Sequence, residues 1–226
     1  MALIELENVT KVYHSGGTAY PALRGVSLSI GTGEFAAIMG ASGSGKTTLL
    51  NLIGCMDLPT SGIYRFDGVD MSRAGENQLA QIRGRRIAFV FQNFALLDRY
   101  TVRENVEVPL LRQALPRAER KTRAMAALTA VGIAGLAQKR PGELSGGQKQ
   151  RAAIARAIAC GAEVLLADEP TGALDSQTGK EIMDLFARFH ARGGTVVLIT
   201  HDRQVAACAK RQITIQDGRI VQDEMV

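Results

Sequence analysis

Gly40-Ala41-Ser42-Gly43-Ser44-Gly45-Lys46-Thr47 constrains this chain more than any other stretch. It matches G-x-x-x-x-G-K-[ST], the pattern of a phosphate-binding loop. The apolar run Glu34 to Met39 before it reads as a buried parallel strand, and Thr48 to Ile53 after it as a helix. A strand, a glycine loop and a helix in that order let successive backbone N–H groups converge on an anion at the helix N-terminus. A glycine turn that merely precedes a helix is the bland alternative, and the flanks argue against it. Gly40, Ser42, Gly43, Ser44 and Gly45 are expected to form the nest, with Thr48 in the helical turn behind them. Lys46 is expected to reach the β- and γ-phosphates, and Thr47 to ligate Mg²⁺. The expected ligand is a nucleoside triphosphate.

With 226 residues, 46% of them hydrophobic and 22% charged, the chain can bury a sizeable α/β core. Its three cysteines, Cys55, Cys160 and Cys208, form no C-x-x-C pair and read as reduced, buried thiols of a cytosolic protein. The first residues carry acids and begin a strand, unlike a signal peptide. No apolar run approaches the ~20 residues of a membrane helix. The net charge of +5 fits phosphate ligands, nucleic acid or an anionic membrane surface. Its basic clusters lack interleaved aromatics, so solvated helix faces account for them and no nucleic-acid partner is expected.

Residues 3–13 and Leu23 to Ile30 alternate as antiparallel strands with one exposed face. Tyr13 and Tyr20 lie there, each able to lie flat against a base, although plain packing is the commoner role of an edge-strand tyrosine. Ile63 to Gly68 and Ile87 to Phe91 read as further strands, the second running into Gln92. The apolar segments Asn93 to Leu97 and Val106 to Leu111 suit either the core of a helical subdomain or a surface left for a partner. Pro116 to Val131 reads as a helix opened by proline and closed by Gly132.

Leu144-Ser145-Gly146-Gly147-Gln148 leads into a helix from Lys149 to Ala159. Ser145 with Gln148 forms a capping box. The two glycines between them cost a helix roughly 1 kcal/mol each, which makes sense if bare N–H groups approach an anion; both readings stand. The strand Val164 to Ala167 ends in Asp168-Glu169-Pro170. Adjacent carboxylates at a buried strand's end are expensive unless a cation or a proton transfer uses them. Asp168 is therefore expected on Mg²⁺ and Glu169 on an attacking water. A second capping box, Thr178 with Glu181, is expected to open the next helix, which Gly193-Gly194 ends. Strand Thr195 to Ile199 places His201 on the same edge as the acidic pair. Two short strands, Gln212 to Gln216 and Arg219 to Val221, close the chain.

In sum and order, Tyr13, the phosphate loop, Gln92, Leu144-Ser145-Gly146-Gly147-Gln148, Asp168-Glu169, Ala173-Leu174-Asp175 and His201 resemble the ATP-binding subunit of an ABC (ATP-binding cassette) transporter over essentially the whole chain. The resemblance implies an α/β fold: a P-loop NTPase core with a mainly parallel sheet, an N-terminal antiparallel β subdomain and a helical subdomain carrying the signature. The whole of 1–226 is expected to be one ABC ATPase domain. About 1–92 and 160–226 would form the core and β subdomain, and about 93–159 the helical subdomain. The resemblance further implies ATP and Mg²⁺ as cofactors. It gives Tyr13 the adenine, and Gln92 the Mg²⁺, the water and the link to the membrane partner. Ser145, Gly146, Gly147 and Gln148 would bind the γ-phosphate of ATP held by a second copy. Glu169 becomes the general base, His201 the γ-phosphate sensor, and Asp175 part of the loop joining two sites.

Phe89 to Leu97, Glu104-Asn105-Val106 and Pro170 to Ser176 are similar to the macrolide-export, lipoprotein-release and antimicrobial-peptide-resistance group. That likeness implies an ATP-dependent homodimer in the cytoplasm, held at the inner face of the cell membrane by an integral-membrane permease. Lys149 departs from a more usual glutamine. The cell-division relatives of the group, which signal without transport, are the alternative. DNA-repair ATPases need a long coiled-coil insertion, but only about a hundred residues without heptads, 48–143, intervene. No N-K-x-D guanine-reading motif is present.

Overall fold

The computed structural model describes residues 2–226. Strands β1 (Ala2–Ser15) and β2 (Thr18–Gly31) form a long antiparallel hairpin. β4 (Ser61–Phe66) and β5 (Val69–Asp70) extend it into a sheet of order β2-β1-β4-β5. A second sheet of order β10-β9-β3-β8-β7-β6 contains β3 (Phe35–Met39), β6 (Ile87–Phe91), β7 (Val164–Asp168), β8 (Thr195–Ile199), β9 (Arg211–Gln216) and β10 (Arg219–Met225). All its neighbours run parallel except β10 against β9.

The central strands β3, β6, β7 and β8 are nearly continuous apolar runs because both faces are covered, whereas β9 alternates and the edge strand β10 is mostly polar and exposed. On one face, Ala36, Ile38, Leu166 and Val197 pack against α1 (Lys46–Ile53) and the antiparallel sheet. On the other, Ala37, Leu165, Ala167 and Leu198 pack against α3 (Val102–Glu107), α4 (Arg117–Ala130), α5 (Gly146–Ala159) and α6 (Ser176–Ala191). α2 (Glu76–Arg85) and the single turn α7 (Arg203–Ala206) complete the chain.

Three expectations need correction. α6 is capped by Asp175, whose carboxylate accepts from the Thr178 N–H at 3.0 Å, and not by a Thr178–Glu181 box. Asp175 lies one helical turn earlier and wins because its side chain reaches the free N–H groups of the first turn. Cys55 and Cys160 are buried, but Cys208 is exposed. The apolar segment 106–111 splits: Val106 and Leu110 are fully buried in the core, while Leu111 is 60% exposed. Among the described residues, no helix is long and apolar enough to cross a membrane.

Candidate active site at the carboxyl edge of the parallel sheet

The strand order sets the site. β3, β8, β7 and β6 are consecutive neighbours, and their carboxyl ends deliver Gly40, His201, Asp168-Glu169 and Gln92 in that spatial order. Phe91 pairs with Asp168, and Asp168 with Ile199, so the residues that follow emerge side by side. Ligands of open α/β sheets bind at this edge.

The phosphate loop depends on glycine at two points. A Cβ on Gly40 (φ +155°) would lie 2.2 Å from the Ile215 carbonyl oxygen, and one on Gly45 (φ +106°) 2.6 Å from that of Ala22. Gly45 caps α1 without a side-chain bond, so the helix's first N–H groups face the loop. Lys46 Nζ folds over the loop and donates to the carbonyls of Gly40 (2.8 Å) and Ala41 (2.7 Å). The Ser44 hydroxyl is buried without a partner. Beside the loop, the Thr47 hydroxyl donates to Asp168 Oδ2 at 3.3 Å. Burial raises the Asp168 carboxyl above its ordinary pKa, with Glu169 adding to the rise and Thr47 and Lys46 opposing it.

Glu169 sits at φ +46°, a left-handed conformation that a residue with a side chain disfavours. Its N–H donates to the Ile199 carbonyl at 3.0 Å, and its Oε1 meets His201 at both the backbone N–H and Nδ1. Gln92 reaches the same corner: a Cβ on Gly172 would lie 2.9 Å from Gln92 Nε2 and 3.5 Å from Glu169 Cβ. Tyr13 flanks the other end. Its hydroxyl donates to Asp57 Oδ2 at 2.9 Å and lies within hydrogen-bonding reach of Thr48, while Lys11 Nζ sits 5.1 Å from its ring centroid. Burial and the Asp57 bond raise the Tyr13 pKa.

The signature residues form a second cluster. Ser145 caps α5 in a full capping box, accepting from the Gln148 N–H at 3.3 Å while its own N–H donates to Gln148 Oε1 at 3.1 Å. Gly147 also has a packing role, because a Cβ there would meet Thr178 Cγ2 at 2.4 Å. Gly146 faces Leu174 and the Phe94 ring. Asp175 belongs to this cluster through Thr178. Among the described residues, no hydrogen bond joins 145–148 to the phosphate loop. The sheet edge thus gathers the phosphate loop, Gln92, Asp168, Glu169, His201 and Tyr13, and leaves Ser145 to Gln148 and Asp175 as a separate set.

A family model described as ABC transporter matches residues 23–172. The chain belongs to the ABC transporter family. It is 50% identical over 221 residues to the macrolide export ATP-binding/permease protein MacB of Brucella melitensis, covering 98% of this chain and 34% of that protein. The chain thus spans about a third of the length of its MacB relatives. It is 49% identical over 219 residues to the uncharacterized ABC transporter ATP-binding protein YknY of Bacillus subtilis, covering 97% of this chain and 95% of that one. Its fold matches the dimeric ATP-binding cassette MJ0796, in a post-hydrolysis state with ADP and Pi, at a TM-score of 0.92 and 44% identity over 98% of each chain. As a member of that family the chain has the fold of an ATP-binding cassette.

Two residues of the site region were given no role by the sequence, although Asn105 lies in the Glu104-Asn105-Val106 stretch that carries the family likeness. Asn105 is fully buried and ties the segment after Gln92 to α3: its Oδ1 accepts from the Leu97 N–H, and its amide donates to the carbonyls of Leu97, Tyr100 and Thr101. Arg156 donates to the carbonyls of Phe94 and Ala95.

Proposed function

We propose that the chain is the ATP-hydrolysing subunit of a membrane exporter, working as a homodimer that closes on two ATP molecules and drives a permease. The observation that carries this reading is the division of the functional side chains into two sets with no direct hydrogen bond between them among the described residues. The phosphate loop, Gln92, Asp168, Glu169 and His201 line one sheet edge, and Ser145 to Gln148 with Asp175 cap α5 and α6 elsewhere. Each set is half of a site, and a second copy supplies the other half. The cargo is a macrolide, lipoprotein or peptide-like molecule, by likeness to the export relatives. The protein then sits on the inner face of the membrane, held there by its permease. Residues about 93–159 form the helical subdomain that brings the signature to its partner.

In this reading, the N–H groups of the glycine loop and Lys46 hold the β- and γ-phosphates, and Tyr13 packs against the adenine. Glu169 accepts a proton from the attacking water as the bond between the γ-phosphorus and the β,γ-bridging oxygen breaks, leaving ADP and phosphate. His201 fixes Glu169 in place and contacts the γ-phosphate, and Gln92 holds the water. Thr47 and Asp168 suit a Mg²⁺ ion, since a hydroxyl and one burdened carboxylate converge where phosphate oxygens would complete the shell. When bound, Mg²⁺ neutralises charge that develops on the phosphates.

The permease surface is a groove of about 350 Å³ beneath the Gln92 loop, with Phe89, Phe91, Ala95 and Pro109 on its apolar wall and Arg83 and Arg156 also lining it. Leu97 (45% exposed), Tyr100 (48%) and Leu111 lie exposed in the same two segments, 93–100 and 106–111. A cytoplasmic helix of the permease fits such a trough. The test is co-purification of the chain with the permease from the same membrane. Leu97→Asp is expected to abolish it while the isolated variant still folds and binds ATP. Undiminished co-purification would remove this surface from the account.

A further inference from the structure

The turn that follows Gln92 is held in an unfavourable shape. Phe94 (φ +64°) and Ala95 (φ +46°) are consecutive left-handed residues, neither of them glycine. Local bonds close the turn: the Phe94 N–H donates to the Phe91 carbonyl (3.1 Å), and the Ala95 N–H to that of Asn93 (2.7 Å). Two such bonds are also available to many ordinary turns, so they do not select this one.

Arg156 supplies what is specific. Its guanidinium donates to the Ala95 carbonyl at 2.6 Å and to the Phe94 carbonyl at 3.3 Å, the two carbonyls of the left-handed pair. No carboxylate pairs with this half-buried cation among the described residues, and burial pulls it below the ordinary arginine pKa, with Cys160 opposing. A charge taken partly out of water without a counter-ion is retained at a cost, and its hydrogen bonds to carbonyls are the compensation. Arg156 lies on α5, ten residues and about 15 Å of helix beyond Gly146. Phe94 completes the grip from the other end: a Cβ on Gly146 would lie 3.8 Å from the Phe94 ring. One rigid helix therefore carries the signature at its N-terminus and clasps the Gln92 turn along its side.

We propose that Arg156 is a positioning residue for hydrolysis: it locks the Phe94–Ala95 turn to the signature helix, so that Gln92 is presented to the Glu169–Gly172 corner whenever the signature helix is in place. This deepens the proposed function and rests on the role given there to Gln92. Arg156 touches no substrate and acts only through the turn.

Arg156→Ala and Arg156→Lys test it in the full chain. Lysine keeps the charge but lacks the planar fork that spans two carbonyls. The first readout is hydrogen–deuterium exchange of the peptide covering residues 92–97 in nucleotide-free protein, which does not depend on any ATPase role. It is expected to speed up about tenfold in Arg156→Ala, the loss of a charge-assisted bond, and less in Arg156→Lys. The second is steady-state hydrolysis, where kcat is expected to fall about tenfold with the KM for ATP held within about twofold. Ethylguanidinium added at tens of millimolar should restore part of kcat in Arg156→Ala and nothing in the lysine variant or the native chain.

Unchanged exchange in both variants would overturn the clamp, and so would faster exchange with an unchanged kcat. If Arg156→Ala does not fold, the lysine variant decides through the same two readouts. Native kcat in Gln92→Ala would instead break the role given to Gln92, and the exchange data would still judge the clamp.

Discussion

His201 grips Glu169 twice: its backbone N–H and its Nδ1 both meet the same carboxylate oxygen, Oε1, at 3.1 and 2.7 Å. The strained φ of Glu169 and the Ile199 carbonyl fix the backbone of this residue, and His201 fixes the end of its side chain. The other carboxylate oxygen is left to meet a water. His201→Ala removes the imidazole contact and leaves the backbone one. Its kcat is expected to fall about 10- to 100-fold, the equivalent of a charge-assisted hydrogen bond worth about 1.5–3 kcal/mol. Nucleotide affinity measured with ADP should hardly change. A kcat within twofold of native would mean that Glu169 is oriented without the ring.

Tyr13 and Tyr20 face each other across the β1–β2 hairpin, yet only Tyr13 is hydrogen-bonded to Asp57, in the segment that follows the helix behind the phosphate loop. Tyr13→Ala is expected to weaken ATP binding by roughly 1–3 kcal/mol, the usual value of a base on an aromatic ring. Tyr13→Phe keeps the ring and should bind nearly as the native chain does. Tyr20→Ala should have little effect. Titration with a fluorescent ATP analogue separates the three, and a loss confined to Tyr20→Ala would assign the base to the other strand.

Asp57 gives the fold a pH-dependent tie. Burial alone would raise its pKa, but the Lys11 ammonium at 2.5 Å, the Leu58 N–H and the Tyr13 hydroxyl outweigh it and hold the carboxyl below its ordinary value. The folded chain thus binds this proton less tightly than the unfolded one. The resulting stability is fully present above the ordinary carboxylate pKa and is lost as pH falls through the depressed value. Asp57→Asn should therefore cost on the order of 1 kcal/mol at pH 7, the upper range for a partly exposed pair. That difference should shrink as denaturation curves are repeated at successively lower pH below about 4. A difference that stays constant across that range would show that Asp57 acts by shape and not by charge.

The parallel core was legible because its strands are unbroken apolar runs, as β7 and β8 show, and β7 ends in Asp168, a group too polar to be buried without a use. α2 was not, since only Leu79 among its residues is buried and a helix that rests one side chain on the core leaves almost no periodic signal. The start of α6 was misplaced because Asp175, Ser176 and Thr178 are all cap formers in close succession, and sequence spacing does not say whose side chain reaches the open N–H groups. Arg156 was not readable at all, and Asn105 was marked only through the likeness of its stretch, without a role. Their partners are main-chain carbonyls and one N–H of the Gln92 segment, which leave no trace in side-chain chemistry. The signature glycines were read as room for an anion, and the contact of Gly147 with Thr178 adds a packing reason that spacing could not reveal.

The central claim is that one chain holds two halves of different sites, completed only when two copies close on ATP. Glu169→Gln keeps the shape of the side chain and loses its basic oxygen, so ATP should bind and remain uncleaved. Two ATP molecules buried between two chains then favour the dimer by mass action. Light scattering of Glu169→Gln with saturating ATP should give twice the 24.2 kDa monomer mass, and ADP in place of ATP should give the monomer. Adding Ser145→Arg, which fills the face of the signature, should return the ATP-bound protein to monomer. A Glu169→Gln protein that stays monomeric with ATP bound would contradict the two-chain site.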